Sequence, residues 1–220
     1  MRNLNQLIIK FDYDQNFRDD DYYVSSSNKH IFTLLNQWPR WDKNFLNIHG
    51  EKYSGKTHLI NIFIKKFKGI KFNANSLTDN DLKTVKLHEN IILEDFNENI
   101  NEKLIYSLLN IIDLDNKFII ITSERSIVDM TFSLNDLNSR INSFLIQKIE
   151  KPDDELMFAL ILKYLSDRQI SIDKKLINFI IKRIDRSYGK IFDFIYKVDE
   201  LSLKKKKPVN FKLIKEILGE

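Results

Sequence analysis

The stretch that most constrains this chain is Phe45-Leu46-Asn47-Ile48-His49-Gly50-Glu51-Lys52-Tyr53-Ser54-Gly55-Lys56-Thr57-His58-Leu59. It reads as a short half-buried strand, a Gly-x-x-x-x-Gly-Lys-Thr loop, and the start of an apolar-faced helix. A phosphate-binding P-loop requires that order. Gly50 and Gly55 can take backbone angles that turn successive N–H groups inward around a phosphate. A helix beginning near Gly55 adds the positive end of its dipole. Lys56 would reach the β and γ phosphates, and Thr57 would offer its hydroxyl to Mg²⁺. Gly50, Ser54, Gly55, Lys56, Thr57 and His58 are therefore the expected cofactor-binding residues of this segment, for ADP or ATP.

The rest of the chain supports an α/β frame around that loop. An apolar run, Asn90-Ile91-Ile92-Leu93, ends in Glu94-Asp95, and a second, Phe118-Ile119-Ile120-Ile121, ends in Thr122-Ser123. Strands buried on both faces of a parallel sheet read this way. Helical periodicity is expected over 28–37, 56–67 and 102–112, with a short helix within 75–85 and short strands at 70–72 and 144–146. Trp38 and Trp41 flank Pro39 and are expected to pack the first helix against the sheet. From Lys151-Pro152 onward only helices are expected. Met157, Leu160, Ile161, Tyr164 and Leu165 follow the spacing of an amphipathic helix, and two similar sets and a short fourth helix follow. Such a small bundle should lean on the α/β part.

Composition narrows the class. Hydrophobic residues make up 43% of the 220, enough for a packed core. There is no cysteine, and no apolar run approaches the ~20 residues that span a bilayer. No signal-peptide core is read at the N-terminus, so a cytoplasmic, membrane-free protein is expected. A net charge of +4 permits contact with nucleic acid without arguing for it.

Two further groups carry chemistry. A paired acid after Ile-Ile-Leu is, alone, equally a pair of solvated loop charges. Behind a P-loop, Glu94 and Asp95 read as a Walker B pair: one holds the metal, usually through water, and its neighbour orients the attacking water. Thr122 and Ser123 either sense the γ phosphate or satisfy backbone groups where the strand ends. Arg140, in Leu137-Asn138-Ser139-Arg140-Ile141, is the arginine-finger candidate, reaching across an interface to a neighbour's γ phosphate. The alternative is that it pairs with an acid such as Asp136 in its own chain. The four histidines lack metal-ligand spacing, and the lysines at 204–207 either touch phosphates or form a solvated loop.

The P-loop, Glu94-Asp95, Thr122-Ser123, Asp136-Leu137-x-Ser139-Arg140 and the helical tail stand in the order used by AAA+ ATPases of the bacterial replication-initiator (DnaA) group. The chain most resembles that group's short relatives, the Hda-type regulatory inactivators of DnaA, in their alphaproteobacterial form. Trp38-Pro39-x-Trp41, Glu150-Lys151-Pro152-Asp153-Asp154, Asp167-Arg168-Gln169 and Arg183-Ile184-Asp185-Arg186-Ser187 carry that likeness. Asp21-Tyr22-Tyr23-Val24-Ser25-x-Ser27-Asn28 is similar to the family's segment near the adenine, which adds Tyr23 and Val24 as cofactor-binding residues.

The resemblance implies an AAA+ P-loop NTPase: a helix-flanked parallel sheet over 19–150 and an all-α lid over 151–220. Residues 1–18 would form a clamp-binding segment. The implied function is docking on the DNA sliding clamp and stimulating hydrolysis of DnaA-bound ATP through Arg140, which prevents over-initiation. Clamp contact falls to Gln6, Leu7, Ile9 and Phe11, where Ile9 stands for the family's leucine and Lys10 for its proline. Glu94 stands where the initiator has Asp. The lid's sensor-2 arginine aligns with Gly189, with Arg186 or Lys190 as nearby substitutes. Both departures suit a chain that holds nucleotide as a structural ligand, with weak or no intrinsic ATPase. The implied partners are DnaA, the clamp or a second copy of the chain, with no sequence-specific DNA contact. A self-contained AAA+ ATPase like a helicase loader, and a nucleotide-gated adaptor, are the alternatives.

Overall fold

The structure, a computed structural model, describes residues 22–206 and 208–220. Five parallel strands form one sheet in the order β2-β3-β4-β1-β5. They are β1 (Phe45–His49), β2 (Ile70–Asn73), β3 (Asn90–Phe96), β4 (Phe118–Ser123) and β5 (Leu145–Lys148). Period-2 alternation sends their side chains to two cores. Ile91, Leu93, Ile119 and Ile121 pack on one face with α3 (Asp79–Val85), α4 (Glu102–Leu114) and α5 (Asn135–Ile141). Leu46, Ile48, Ile92 and Ile120 pack on the other with α1 (Lys29–Asn36) and α2 (Lys56–Phe67). Helices on both faces explain why the central strands are apolar throughout rather than alternating.

The expected elements are present, with bounds that shift by a few residues. Trp38 and Trp41 do pack α1 onto the sheet's helix layer: both rings meet Phe63 and Phe118, and the Trp41 indole N–H donates to the Leu34 carbonyl at 2.8 Å. Among the described residues one α-helix was not expected. α5 is only seven residues long, too short for a periodic pattern, and only Leu137 and Ile141, one turn apart, face the core.

After Pro152 the chain is helical: α6 (Asp154–Asp167), α7 (Lys174–Ile181), α8 (Tyr188–Lys205) and α9 (Phe211–Leu218). Each begins with a side-chain cap, from Asp153, Asp173, Ser187 and Asn210 respectively. They enclose a third core containing Met157, Ile161, Leu165, Ile177, Ile180, Ile191, Ile195 and Val198. The bundle leans on the α/β part through Leu156 and Tyr188, which belong to the α1–α2 core. The Tyr188 hydroxyl donates to the Glu150 carbonyl at 2.9 Å.

Asp153 sews the same seam. Its carboxylate accepts from the Ser26 hydroxyl at 2.7 Å, the Ser27 hydroxyl at 3.1 Å and the Leu156 amide at 2.8 Å. Burial works against the charge, but these hydrogen bonds outweigh it and hold the carboxyl at about 2, against 3.8 ordinarily. A group depressed in this way stabilises the fold above its unfolded value and loses that contribution as pH falls through the folded one. Asp153→Asn should therefore melt below wild type at pH 5–7, and the gap should close between about pH 4 and pH 2. Thermal melts across that range check it; a gap that stays constant with pH would rule the charge out.

A polar side chain is fully buried in the middle of the sheet. Asn47 on β1 is 0% exposed, donates to the Ile121 carbonyl and the Ser123 hydroxyl at 3.0 Å each, and accepts from the Ile127 amide at 3.3 Å. Asn47→Ala strands these groups away from water and should cost about 2–3 kcal/mol, read by urea unfolding.

Candidate functional site

Strand β1 ends at His49, and the next amide, Gly50, donates across to the Ser123 carbonyl of β4 at 3.2 Å. A Cβ at Gly50 would lie 3.0 Å from the Ile149 Cβ and 3.1 Å from the Ser54 Oγ, so the loop closes tightly only on glycine. Tyr53 (φ 68°) and Gly55 (φ 90°) then take left-handed conformations that turn the chain into α2. That helix starts with no side-chain cap and no acid in its first turn. Its N-terminal amides and dipole are thus left for an anion.

The Lys56 ammonium arches over the loop, donating to the carbonyls of Gly50 (2.7 Å) and Glu51 (3.0 Å). Burial lowers its pKa, and the carboxylates of Glu124, Asp95, Glu51 and Glu94 partly offset that. The Ser54 hydroxyl is buried with no hydrogen-bond partner among the described residues. Thr57 is exposed on the first turn of α2. Uncapped amides, a lysine and an unsatisfied hydroxyl on one loop fit a phosphate group.

Glu94 and Asp95 both lie at the carboxyl end of β3 and within electrostatic reach of Lys56. Glu94 continues the alternation of Ile92, on the α2 side, and forms an ion pair with Lys71 of β2 at 3.0 Å. Its other oxygen is buried without a partner among the described residues. Asp95 (φ 58°) sits in a bulge that restores Phe96 to the core and leaves the carboxylate exposed, held by the Asn73 amide at 2.8 Å. Among the described residues no three His, Cys, Asp or Glu side chains cluster as a metal site. Thr57, Glu94 and Asp95 would therefore hold Mg²⁺ only together with phosphate oxygens and water.

Thr122 is buried beside Ile48 of β1. The Ser123 hydroxyl donates to the Arg125 carbonyl at 2.6 Å and accepts from Asn47, so it satisfies the strand end. Glu124 is the acid that sequence reasoning missed. Its only signal was its place one residue beyond β4, the strand beside β1.

Tyr23 and Val24 are exposed, at 46% and 38%, on the segment leading into α1. Asn28 shapes that segment, donating to the Tyr23 carbonyl at 3.0 Å and accepting from the Ser25 amide at 2.9 Å. Their neighbour Tyr22 is the one that reaches the loop. Its ring meets His58 edge-on at 5.3 Å, and its Cε2 lies 3.2 Å from a Cβ built on Gly55. Burial pushes the Tyr22 hydroxyl's pKa up. His58 is thus buried packing behind the P-loop.

The lid reaches the same loop. Glu51 accepts from the Ser187 hydroxyl and from the amides of Tyr188 (3.1 Å) and Gly189 (3.0 Å), at the start of α8. Burial opposes the charge, but these three hydrogen bonds keep the Glu51 carboxyl below its usual pKa. Arg186, just before α8, forms an exposed ion pair with Asp154 at 2.8 Å.

Arg140 lies elsewhere. It sits near the end of α5, next to the amino ends of the strands, and pairs with Asp113 at the end of α4 at 3.1 Å. Its guanidinium also lies over the Tyr106 ring. The own-chain acid of the alternative reading is thus present, as Asp113 rather than Asp136. The P-loop is at the carboxyl end of β1, so Arg140 and the P-loop occupy opposite ends of the sheet. The clamp-contact candidates Gln6, Leu7, Ile9 and Phe11 lie outside the described residues.

No protein-family model matches the chain. An uncharacterised protein of Haemophilus influenzae is 25% identical over 188 residues, covering 80% of this chain and 81% of that one. The chromosomal replication initiator DnaA of Borreliella burgdorferi is 24% identical over 192 residues, 75% of this chain. The chain spans only 39% of that DnaA's length. Domain III of the Thermotoga maritima replication initiation protein DnaA superposes with a TM-score of 0.69 at 17% identity, covering 92% of this chain and 95% of that one. AMPPCP-bound DnaA from Aquifex aeolicus gives a TM-score of 0.64 at 18% identity, covering 84% and 64%.

Proposed function

We propose that this chain, whose AAA+ fold and sequence likeness support a place in the DnaA group, is a nucleotide-holding regulatory inactivator of DnaA. The carrying observation is the placement of Arg140 at the end of the sheet away from its own P-loop. A guanidinium there cannot serve the chain's own phosphates and is free to meet a neighbour's. Its intrachain partner is a solvent-exposed carboxylate, and such a pair holds it by only about 0–1 kcal/mol. On this reading the chain docks on the sliding clamp through its N-terminal segment and presents Arg140 to ATP bound on DnaA. Charge building on the γ phosphate is then met by two parallel N–H donors.

The chain's own P-loop holds ADP or ATP. Lys56 and the amides of the loop bind the phosphates, Tyr23 and Val24 flank the base, and Thr57, Glu94 and Asp95 are the residues that would hold Mg²⁺. When bound, Mg²⁺ would neutralise phosphate charge. Two features favour a retained ligand over fast turnover: Glu94 is paired with Lys71, and Arg186 is paired with Asp154.

Two measurements test this. Wild type should gain thermal stability in ADP, by roughly 2.7 kcal/mol at a hundredfold excess over Kd. Lys56→Ala should lose that gain; an undiminished shift would refute the P-loop assignment. Hydrolysis of DnaA-bound ATP, measured with and without DNA-loaded clamp, should accelerate with wild type. Arg140→Ala should remove the stimulation, which for trans-acting arginines amounts to ~10³–10⁵ in rate, and keep its fold and ADP shift. Arg140→Lys should rescue poorly, since an ammonium lacks the planar fork. An alanine variant that still stimulates DnaA would end the arginine-finger role.

A further inference from the structure

We propose that Glu51 is a positioning residue that latches the lid to the phosphate loop, so that lid position and loop occupancy are coupled. Glu51 lies 136 residues from Ser187 in sequence, yet it fills the entrance of α8. One oxygen takes the Ser187 hydroxyl and the Gly189 amide, the other the Tyr188 amide. A carboxylate accepting from the first turn of a helix makes charge-assisted bonds and also meets the dipole's positive end.

A second contact runs beside it. The ring of Tyr53, two residues further along the loop, stacks on Phe192 one turn into α8, with centroids 4.2 Å apart and planes 7° apart. Position 189 is matched to this arrangement. A Cβ there would lie 3.1 Å from the Glu51 Oε1, so any larger side chain would press on the latch.

The coupling follows from what else Glu51 holds. Its main-chain carbonyl accepts from the Lys56 ammonium, as does that of Gly50. Lys56 cannot give its donors fully to a phosphate while keeping both carbonyls. A phosphate that takes more than the third N–H of Lys56 therefore loosens the hold on the peptide whose side chain carries α8. The lid is engaged by an acid from the loop itself, where a lid bearing a basic side chain would have to wait for phosphate.

The latch is tested on the nucleotide-free chain by hydrogen exchange. Glu51→Gln keeps the side chain's size and loses its charge. It should speed exchange of the Tyr188 and Gly189 amides by about tenfold and leave α9 unchanged. Tyr53→Leu should loosen the same turn by a smaller factor and decides the matter if the Glu51 variant does not fold. Wild-type protection of Tyr188 and Gly189 in a folded Glu51→Gln protein would overturn the latch. The coupling rests on the nucleotide reading and is measured separately, by displacement of a fluorescent ADP analogue. Glu51→Gln should release it several-fold faster. An unchanged release rate, or a wild type that binds no analogue, would overturn the coupling, and the exchange result still decides the latch.

Discussion

The parallel pairing of β1 with β4 carries the rest of the molecule. It joins Leu46 to Ile120 and Ile48 to Thr122, ties the two strands again through the buried Asn47, and ends with the Gly50 amide on the Ser123 carbonyl. That last bond is where regular sheet becomes phosphate loop. Every feature of the crevice is referenced to it: the start of α2, the arch of Lys56 and the acid beyond β4. A polar residue in the middle of an apolar strand is costly unless all its bonds are made. Here they are, and they set the separation between the loop and the end of β4.

The acids around Lys56 give the crevice an unusual balance. One ammonium is faced by Glu51, Glu94, Asp95 and Glu124, while Arg186 is drawn off to Asp154. Of the four acids, Glu51 is spent on α8 and Glu94 on Lys71. Glu94 is the buried one of the four; Glu51, Asp95 and Glu124 are exposed. The crevice's chemistry is thus set as much by where each carboxylate is tethered as by how many there are.

Much of this was legible from residues alone. Gly50, Gly55, Lys56 and Thr57 marked both the loop and the first turn of α2, because few other structures need that spacing. The runs at Ile91 and Ile119 announced buried strands, and the i, i+3, i+4 rows announced the lid helices. What was not legible depended on folding back. Tyr22 and Tyr23 are adjacent aromatics with no period to tell the ring behind Gly55 from the exposed one. Glu124 became relevant only once β4 lay beside β1. The contact between Glu51 and α8 links positions too far apart for any local pattern to report.

The placement of Arg140 and the P-loop at opposite ends of the sheet gives the molecule a head and a tail. Contacts between unlike ends are heterologous: they cannot be satisfied by a two-fold axis, and repeated they build a closed ring or an open array. A chain that offers only its guanidinium end to another protein therefore sits at the terminus of such an array. On the proposed function, one copy would serve one neighbour, and its stoichiometry would follow the number of open array ends rather than the number of subunits.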